Sequence, residues 1–433
     1  MKKLILSLIV LTSLTITNCS KSEENATTTH EENPLNPQNP QRPQVPQPNP
    51  EPPITSADFT LSEDGKTLVR WNNTTRTTLD MKAHPLLSQV TTIGTWAFEN
   101  RNSLKTIVFP ETLTTIMGGA FSKTGLTSVI IPETVTSIGN YAFSNCNSLT
   151  SVSIPKTVTD LGDWIFENCG NLEEVTYGPK TLKASLFNNC TSLRKVILLE
   201  GVTTIGTWAF ENRKALKEIH FSSTVTTINA NAFSGSGLST ITIPETITTI
   251  GASAFSNCKS LTSASIPKSV ISLGDWVFEN CENLEEVTFG PKTLKNALFS
   301  GCTNLKNVTL LEKITTIEPW AFENRTNFTT LTIKATTPPS IGEITFKNTA
   351  LTHIYVPAAS VDSYKNDRKW GVFADRPSEI QTALRLAAKK SCNTLWHSSA
   401  NIPPKIAVCL FRRLSANKST TLPAAPVLAS AAP

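Results

Sequence analysis

Cysteine is the residue type whose spacing most directly suggests chemistry in this chain. Nine cysteines occur, and six of them follow a phenylalanine by three residues: Cys146, Cys169, Cys190, Cys258, Cys281 and Cys302. Equal spacing predicts that they stack as two ladders of three on neighbouring turns of a repeating fold. Two interpretations stay open, disulfides in an exported protein or buried thiols that act as small apolar side chains. No Cys-x-x-Cys motif or histidine pair accompanies them, so no zinc site is predicted.

Paired carboxylates are the second candidate for chemistry. Glu173-Glu174 and Glu285-Glu286 are adjacent in sequence, and each pair falls on a predicted strand. Neighbouring side chains on a strand leave on opposite faces unless the strand bends, whereas the two carboxylates of a glycosidase must face one another across a bond. None of the five histidines lies in a recognisable nucleophile motif. The sequence therefore predicts no catalytic residue, no metal site, no cofactor and no enzyme activity.

Charged residues recur at positions that are predicted to face outward from the strands, and acidic and basic bands alternate from repeat to repeat. The set comprises Glu173, Glu174, Arg194, Lys195, Lys217, Glu218, Glu285, Glu286 and Lys306. A partner protein can recognise such banding, because charge complementarity sets the register and the rate of encounter. The alternative is a solvated sheet, rich in hydroxyl groups, whose bands neutralise each other.

Tryptophan also recurs in register, two residues before a repeat phenylalanine. The members are Trp96, Trp164, Trp208, Trp276 and Trp320, with Tyr141 at the same position. Such a row can serve as an interaction stripe for a protein or as a stacking platform for sugar rings. The other interpretation is that the rings are half-buried and pack along the outer edge of the fold.

The chain contains an internal duplication, and the fold that its repeats build must position these residues. Residues 149–200 recur as residues 261–312, and the segment at 91–100 recurs at 203–212. Within each block a phenylalanine returns at a nearly constant interval, at Phe98, Phe121, Phe143, Phe166, Phe187, Phe210, Phe233, Phe255, Phe278, Phe299, Phe322 and Phe346. The interval is about 21–24 positions, and a period of this length predicts a solenoid, here of about twelve coils.

One repeat shows how a coil forms. Val152 and Ile154 alternate with polar residues, and a proline follows them. This pattern predicts a short strand with its apolar side inward, which precedes Phe166 in the coil. A single coil cannot bury its apolar row, so a core forms only when coils stack. Two coils, ending at Phe187 and Phe299, lack two residues and are expected to change the curvature locally.

The repeat L-x-x-V-x-I-P-x-x-V-x-x-I-G-x-x-A-F-x-x-C resembles the BspA-like branch of the leucine-rich repeats, which occurs in surface lipoproteins of Gram-negative anaerobes and spirochaetes. The resemblance covers roughly residues 55–380. It implies a strand-rich leucine-rich-repeat solenoid, right-handed and curved, with little helix. It also implies adhesion to host matrix proteins or to other bacteria. The ladder asparagine of ordinary leucine-rich repeats is not matched at its usual position, which favours this branch.

The amino-terminal segment has the features of an exported lipoprotein. Residues 1–18 combine a basic start with an apolar run that is too short to span a bilayer, which predicts a signal peptide. The run that ends at Cys19 resembles a lipobox, in which the cysteine is acylated; the alternative is ordinary secretion with Cys19 removed. Residues 19–53 hold this cysteine and a proline-rich tether whose composition predicts disorder.

The remaining boundaries follow from where the repeat starts and stops. Residues 54–90 are predicted to form an amino-terminal cap, residues 91–334 the solenoid, and residues 335–380 the last repeat with a C-terminal cap. Residues 381–433 show no repeat and form a basic tail, predicted to be disordered. The chain carries 39 basic and 34 acidic side chains, a net charge of +5. Seven basic residues and no acidic residue occur after residue 379, so the positive charge belongs to the tail.

These features predict a lipid-anchored adhesin at the outer membrane or cell surface. The resemblance implies host matrix proteins of the fibronectin or fibrinogen type, or other bacterial cells, as partners. Linked weak sites on a repeated surface gain avidity through their effective concentration. The alternatives are a glycan-capture protein that uses the tryptophan row and a structural scaffold in the envelope. We expect a monomer that contacts the membrane through its lipid and, lacking any nucleic-acid motif, binds no nucleic acid.

Overall fold

A computed structural model describes residues 51–373 and 379–382. The chain divides into two units, residues 1–51 and residues 52–433, and all but one of the described residues belong to the second. The predicted signal peptide, Cys19 and the tether up to residue 50 lie outside the described residues, as does the tail from residue 383 onward.

The described part of the second unit consists almost entirely of short strands. In chain order these are β1 Phe59–Leu61, β2 Thr67–Trp71, β3 Thr78–Asp80, β4 Thr92–Ile93, β5 Thr106–Val108, β6 Thr115–Ile116, β7 Ser128–Ile130, β8 Ser137–Ile138, β9 Ser151–Ile154, β10 Asp160–Leu161, β11 Glu174–Tyr177, β12 Thr181–Leu182, β13 Lys195–Leu198, β14 Thr204–Ile205, β15 Glu218–His220, β16 Thr227–Ile228, β17 Thr240–Thr242, β18 Thr249–Ile250, β19 Ser263–Ile266, β20 Ser272–Leu273, β21 Glu286–Phe289, β22 Thr293–Leu294, β23 Asn307–Leu310, β24 Thr316–Ile317, β25 Thr330–Ile333, β26 Ser340–Ile341, β27 His353–Val356 and β28 Glu379–Thr382.

Helix is scarce in the described residues. The one α-helix among them, α1, spans Val361–Asn366, and short 3-10 turns cover Ser56–Asp58, Leu87–Gln89, Ala358–Ser360 and Gly371–Phe373. This confirms the predicted strand-rich solenoid with little helix. The number of coils is about thirteen, one more than the phenylalanine count predicts.

Two parallel ladders run through the solenoid. The main ladder consists of the strands of three or four residues, in the orders β7-β9-β11-β13-β15 and β17-β19-β21-β23-β25-β27-β28. The short ladder consists of the two-residue strands, in the orders β4-β6-β8-β10, β12-β14-β16-β18-β20 and β22-β24-β26. Each strand pairs with its counterpart one repeat away, so equivalent residues stack directly: Val175 lies between Val152 and Val196. Parallel strands need a long connection between them, and the rest of each coil supplies it.

The core is a continuous stack of phenylalanine rings. Adjacent rings in the series from Phe98 to Phe346 lie 4.8 to 6.4 Å apart between centroids, with nearly parallel planes. The widest separation, 6.4 Å between Phe187 and Phe210, follows one of the two short coils. Burial of these rings in one unbroken column gives the stacked coils a common hydrophobic core.

Both ends of the phenylalanine stack are covered by other aromatic side chains. At the amino end, β1 and β2 form an antiparallel hairpin through Gly65, whose φ is 68°, as the Asp-Gly pair predicts. Trp71 of this hairpin packs on Phe98 at 5.8 Å. At the other end Trp370 lies 5.9 Å from Phe346 and is fully buried. Aromatic residues therefore close the core at both termini of the repeat array.

Candidate functional site

The outward side of the main ladder carries the most distinctive surface. Along β7, β9, β11 and β13 one outward row reads Ile130, Ser153, Thr176 and Ile197, with each residue in register with the next. Ile130 is 78% exposed, which is unusual for an isoleucine in a sheet, and Ile197 is partly exposed. The two isoleucines stand about 14 Å apart, three strand spacings, with small hydroxyl side chains between them. We call this four-residue row the isoleucine trough.

The isoleucine trough is concave and flanked by charge. The lining of a cavity of about 170 Å³ includes the trough residues together with Ser151, Glu174 and Lys195, and the buried valines of β7, β9 and β11. Glu174 is in register with Lys195 and Lys195 with Glu218, so acidic and basic side chains alternate beside the trough. Two apolar walls over a hydroxyl floor, bordered by opposite charges, form a site that a partner's side chain can enter.

The duplicated block lacks this trough. At the equivalent positions β17, β19, β21 and β23 carry Thr242, Ser265, Thr288 and Thr309, also in register. The strand pairing is the same, but both isoleucine walls are replaced by threonine. The second block therefore provides an internal control for the site, because its surface has the same strand register but no apolar walls.

The acidic pairs lie where the strand bends, which is the case in which adjacent side chains need not leave on opposite faces. Arg194 binds both glutamates of the first pair, through Nε to Glu173 at 3.0 Å and through Nη2 to Glu174 at 2.9 Å. The physical reason is a bend where β11 begins: the backbone N–H groups of both glutamates donate to the carbonyl of Thr150. The same bend occurs at Glu285-Glu286, whose N–H groups share the carbonyl of Thr262.

Much of the predicted charge banding is engaged in contacts within the solenoid. Lys306 pairs with Glu285 at 2.8 Å, and Glu286 accepts a hydrogen bond from Asn307 at 3.1 Å. Lys217 donates to the carbonyl of Gly237 at 3.0 Å. Exposed pairs of this kind contribute little to stability, about 0–1 kcal/mol each. They do reduce the charge that the bands present to a partner, so the bands alone do not define a site.

The tryptophans are partly exposed but do not form a continuous row. Trp96, Trp208, Trp276 and Trp320 are each about half exposed and Trp164 somewhat less. Intervening coils have no aromatic residue at this position; the residues there are Gly119, Ser185, Asn231, Ser253 and Ala297. One pair of adjacent coils stacks two of these rings, Tyr141 on Trp164 at 5.3 Å. The predicted row is thus a series of separated indoles.

An unusual backbone conformation holds these indoles outward. All five tryptophans have φ between 54° and 63°, the left-handed region that bulky residues seldom adopt. The reason is the ladder of hydrogen bonds at the turn: the N–H groups of Trp96, Phe98 and Asn100 all donate to the next coil, at 3.1, 2.7 and 3.0 Å. The left-handed residues Trp96 and Asn100, four positions apart, frame the turn in which these three N–H groups point toward the next coil.

The sequence reasoning missed a ladder of asparagines at the second left-handed position of this turn. They follow the repeat phenylalanines by two residues: Asn100, Asn145, Asn168, Asn189, Asn212, Asn257, Asn280, Asn324 and Asn348. Side-chain amides link successive members, for example Asn189 to Asn168 at 2.8 Å. Asparagine tolerates the left-handed region better than most residues. The recurring Phe-x-Asn spacing was the signal that could have found it.

The six repeat cysteines are buried free thiols. Each Sγ lies 3.0 to 3.2 Å from the carbonyl oxygen of a phenylalanine in the preceding coil, as between Cys169 and Phe143. Burial raises the pKa of Cys190 and of Cys302 to about 12, which keeps both as neutral donors. The cysteines therefore act as small buried side chains that satisfy a carbonyl group.

Two further features of the described residues bear on function, clusters of metal-binding side chains and helices that could span a membrane. No group of three or more histidine, cysteine, aspartate or glutamate side chains there is arranged to hold a metal ion. None of the helices found there has the length and apolar character needed to cross a bilayer.

Comparison with known proteins agrees with this architecture. Residues 76–194, 180–297 and 291–367 match the family described as BspA type Leucine rich repeat region. A leucine-rich repeat protein from Bacteroides ovatus is similar in structure, with 26% identity, a TM-score of 0.51 and coverage of 73% of this chain and 87% of that one. A leucine rich cell surface protein from Faecalibacterium prausnitzii is 24% identical over 76% of this chain and 99% of its own, with a TM-score of 0.34.

No curated protein matches the chain in sequence. The family matches together span more than half of its residues, from just before β3 to just after α1. The register of the coils, the buried phenylalanine column and the family matches lead to one conclusion: the chain belongs to the BspA-type leucine-rich repeat family.

Proposed function

We propose that this chain is a surface-displayed adhesin that binds proteins through the isoleucine trough of its main ladder. The observation that carries the proposal is the placement of exposed Ile130 and partly exposed Ile197 in a concave, charge-flanked row, where the duplicated block has threonines. Exposed apolar groups in a polar rim are the usual centre of a protein interface. The proposed partners are host matrix proteins of the fibronectin or fibrinogen type, or proteins on other bacterial cells.

The proposal includes export and anchoring. In it, the signal peptide of residues 1–18 is removed and acylated Cys19 holds the solenoid at the outer membrane or cell surface, spaced from the membrane by the tether. A stable lipid anchor leaves the main ladder free to meet partners outside the cell. Membership of the BspA-type family supports a binding role over catalysis.

The test replaces the isoleucines with the residues of the duplicated block. The Ile130→Thr/Ile197→Thr variant of the full chain is expected to lose about tenfold in affinity for its matrix protein, since interface centres contribute most of the binding energy. Binding to immobilised fibronectin, fibrinogen and whole bacterial cells is measured by surface plasmon resonance or cell retention across salt concentrations.

The matched control is Thr242→Ser with Thr309→Ser, which alters the same positions in the second block and should leave binding unchanged. An equal loss of affinity in both variants would show that the isoleucine trough is not the binding site. If the unmodified chain shows no saturable binding to any of the three partners, the adhesin function is contradicted.

A second candidate function, glycan capture, is favoured by one observation at Trp320. The half-exposed indole borders a cavity of about 320 Å³ lined also by Asn296, Ser300, Glu323 and Arg325. An aromatic face beside amide, hydroxyl and charged groups is suited to stack a sugar ring and hydrogen-bond its hydroxyls.

Replacement of the indoles tests this candidate. Trp208→Asn with Trp320→Asn introduces the residue that occupies the same left-handed turn at Asn231, so the fold should be kept. If glycans bind here, retention on a glycan array falls to background while binding to matrix proteins persists. Ser253→Ala, at a turn without an indole, is the control. Unchanged glycan retention in the double variant contradicts this candidate.

A further inference from the structure

The short ladder is interrupted at two places, and the two interruptions differ. Strand β10 ends one sheet and β12 begins the next, and β20 and β22 are separated in the same way. Both breaks fall at the coils that lack two residues and begin Gly-Pro-Lys-Thr-Leu. The missing residues thus open a gap in the ladder at equivalent positions of the two blocks.

The first gap is closed by a lysine. Lys183 donates from Nζ to the carbonyl oxygen of Leu161, and Leu161 is only 7% exposed. Lys183 is available because Ser185 donates a hydrogen bond to Asp163 at 2.9 Å and so supplies that carboxylate with a nearer partner. Lys183 itself lies 3.8 Å from Asp163.

The second gap stays open. Ala297 stands where the first block has Ser185, so Asp275 has no such hydroxyl, and Lys295 pairs with Asp275 at 2.8 Å. Leu273, the counterpart of Leu161, is left half-buried, and Ile271 is 86% exposed. A cavity of about 610 Å³ lies here, and its lining includes these two residues with Val270, Pro291 and lysines 268, 292, 295 and 313.

Sequence differences between the blocks converge on this cavity. Ile271, Ser272 and Lys313 stand where the first block has Thr159, Asp160 and Gly201. Ile271 adds an exposed aliphatic side chain. Ser272 lacks the carboxylate of its counterpart, and Lys313 adds an ammonium group. All three of the new residues line the same cavity.

The cavity carries uncompensated positive charge. Lys295 is neutralised by Asp275, but Lys268, Lys292 and Lys313 have no carboxylate within ion-pair distance among the described residues. Lys313 reaches back across two coils to donate to the carbonyl of Lys268 at 3.4 Å, which holds its ammonium group at the cavity. Three ammonium groups around an apolar floor favour a ligand that is both anionic and apolar.

We propose that this cavity binds an acidic segment of a partner protein, with carboxylates at Lys268, Lys292 and Lys313 and an apolar side chain on Ile271 and Leu273. An acidic polysaccharide supplies the charge but no apolar side chain for the floor. A flat membrane surface does not enter a concavity. A peptide supplies both groups, and its backbone can pair with the unpaired edges of β20 and β22. The site is independent of the isoleucine trough, which lies on the main ladder.

The experiment uses the full chain and three fluorescein-labelled decapeptides: alternating Asp and Leu, alternating Asn and Leu, and alternating Asp and Ser. Fluorescence anisotropy should show saturable binding of the Asp-Leu peptide that weakens as salt rises, because ion pairs at a partly open site are screened. Loss of either the charge or the apolar side chains should weaken binding about tenfold or more. Heparin and vesicles of anionic lipid are tested in parallel.

Variants locate the site. Lys268→Gln with Lys292→Gln should reduce affinity for the Asp-Leu peptide about tenfold, whereas the equivalent Lys156→Gln with Lys180→Gln at the closed gap should not. Ile271→Thr with Ser272→Asp restores the residues of the first block and should also abolish binding. Thermal unfolding by circular dichroism confirms that each variant is folded. Equal effects at both gaps, or binding of heparin or vesicles without the peptide, would overturn the proposal.

Discussion

Replacing Phe210 with alanine is expected to destabilise the solenoid by about 3–5 kcal/mol, the cost of emptying a fully buried aromatic site. Phe210 has no exposed surface and lies between Phe187 at 6.4 Å and Phe233 at 5.3 Å. Its removal breaks the column of rings near the middle. Because each coil contacts only its neighbours, a central defect should also divide unfolding into separate transitions for the two halves.

Urea unfolding followed by circular dichroism measures both effects. Trp208→Asn is the control, since this residue lies two positions away, is about half exposed and should change stability by less than about 1 kcal/mol. A Phe210→Ala variant that unfolds at the same urea concentration as the unmodified chain would show that the stacked rings do not form a shared core.

The second large effect is expected at Gly237, where alanine should destabilise the fold by about 2–3 kcal/mol through overpacking. A Cβ atom at this position would lie 1.9 Å from the carbonyl oxygen of Lys214 in the preceding coil. The close approach arises because Ser236-Gly237-Leu238 is one residue shorter than the corresponding loop in the cysteine-containing coils. The nearest atoms belong to the backbone, so no flexible group is there to move aside.

Gly170 provides the contrast for this prediction. Its nearest neighbour to a new Cβ is Thr191 Oγ1 at 3.9 Å, and the duplicated block has Glu282 at the same position. Gly170→Ala is therefore expected to be neutral or to stabilise by about 0.4–1 kcal/mol, through loss of freedom in the unfolded chain. Similar thermal midpoints for Gly237→Ala and Gly170→Ala would contradict the assigned close approach.

The elements of the fold that could be predicted are those set by local pattern. Alternation at Val152 and Ile154 predicts a strand, and the structure has β9 there. The Asp-Gly pair predicts the hairpin, and the period of the phenylalanines predicts their stacking. The strand signal lies within one repeat and the hairpin signal within the cap, whereas the period is visible because many repeats share it.

The features that could not be predicted depend on contacts between coils. The bend that sends Glu173 and Glu174 to the same arginine is made by a carbonyl of the preceding coil, on Thr150. Whether a short coil leaves an open or a closed gap depends on the partner of Lys183 or Lys295. That difference follows from Ser185 or Ala297, a one-atom change that has no periodic signature in the sequence.

The site is less predictable than the fold for the same reason. The charged residues chosen from the sequence lie on the outward side of the ladder, but many of them pair with one another. Strand alternation places Ile130 and Ile197 on the outward side, but nothing within one repeat indicates that they line a common cavity. That arrangement depends on the register of β7, β9, β11 and β13, which puts the two isoleucines in one row with Ser153 and Thr176 between them.

The register of the stacked coils has a consequence for how the gene can change. Phe143 packs on Phe166 at 5.5 Å, and Phe255 packs on Phe278 at 5.8 Å, so these two junctions, one in each block, are interchangeable. Unequal recombination between the two copies would delete or add a whole block while preserving the packing of every coil at the new junction. Proteins encoded by the recombined genes would thus differ in the length of the solenoid and in the number of binding surfaces, and each of them would still fold.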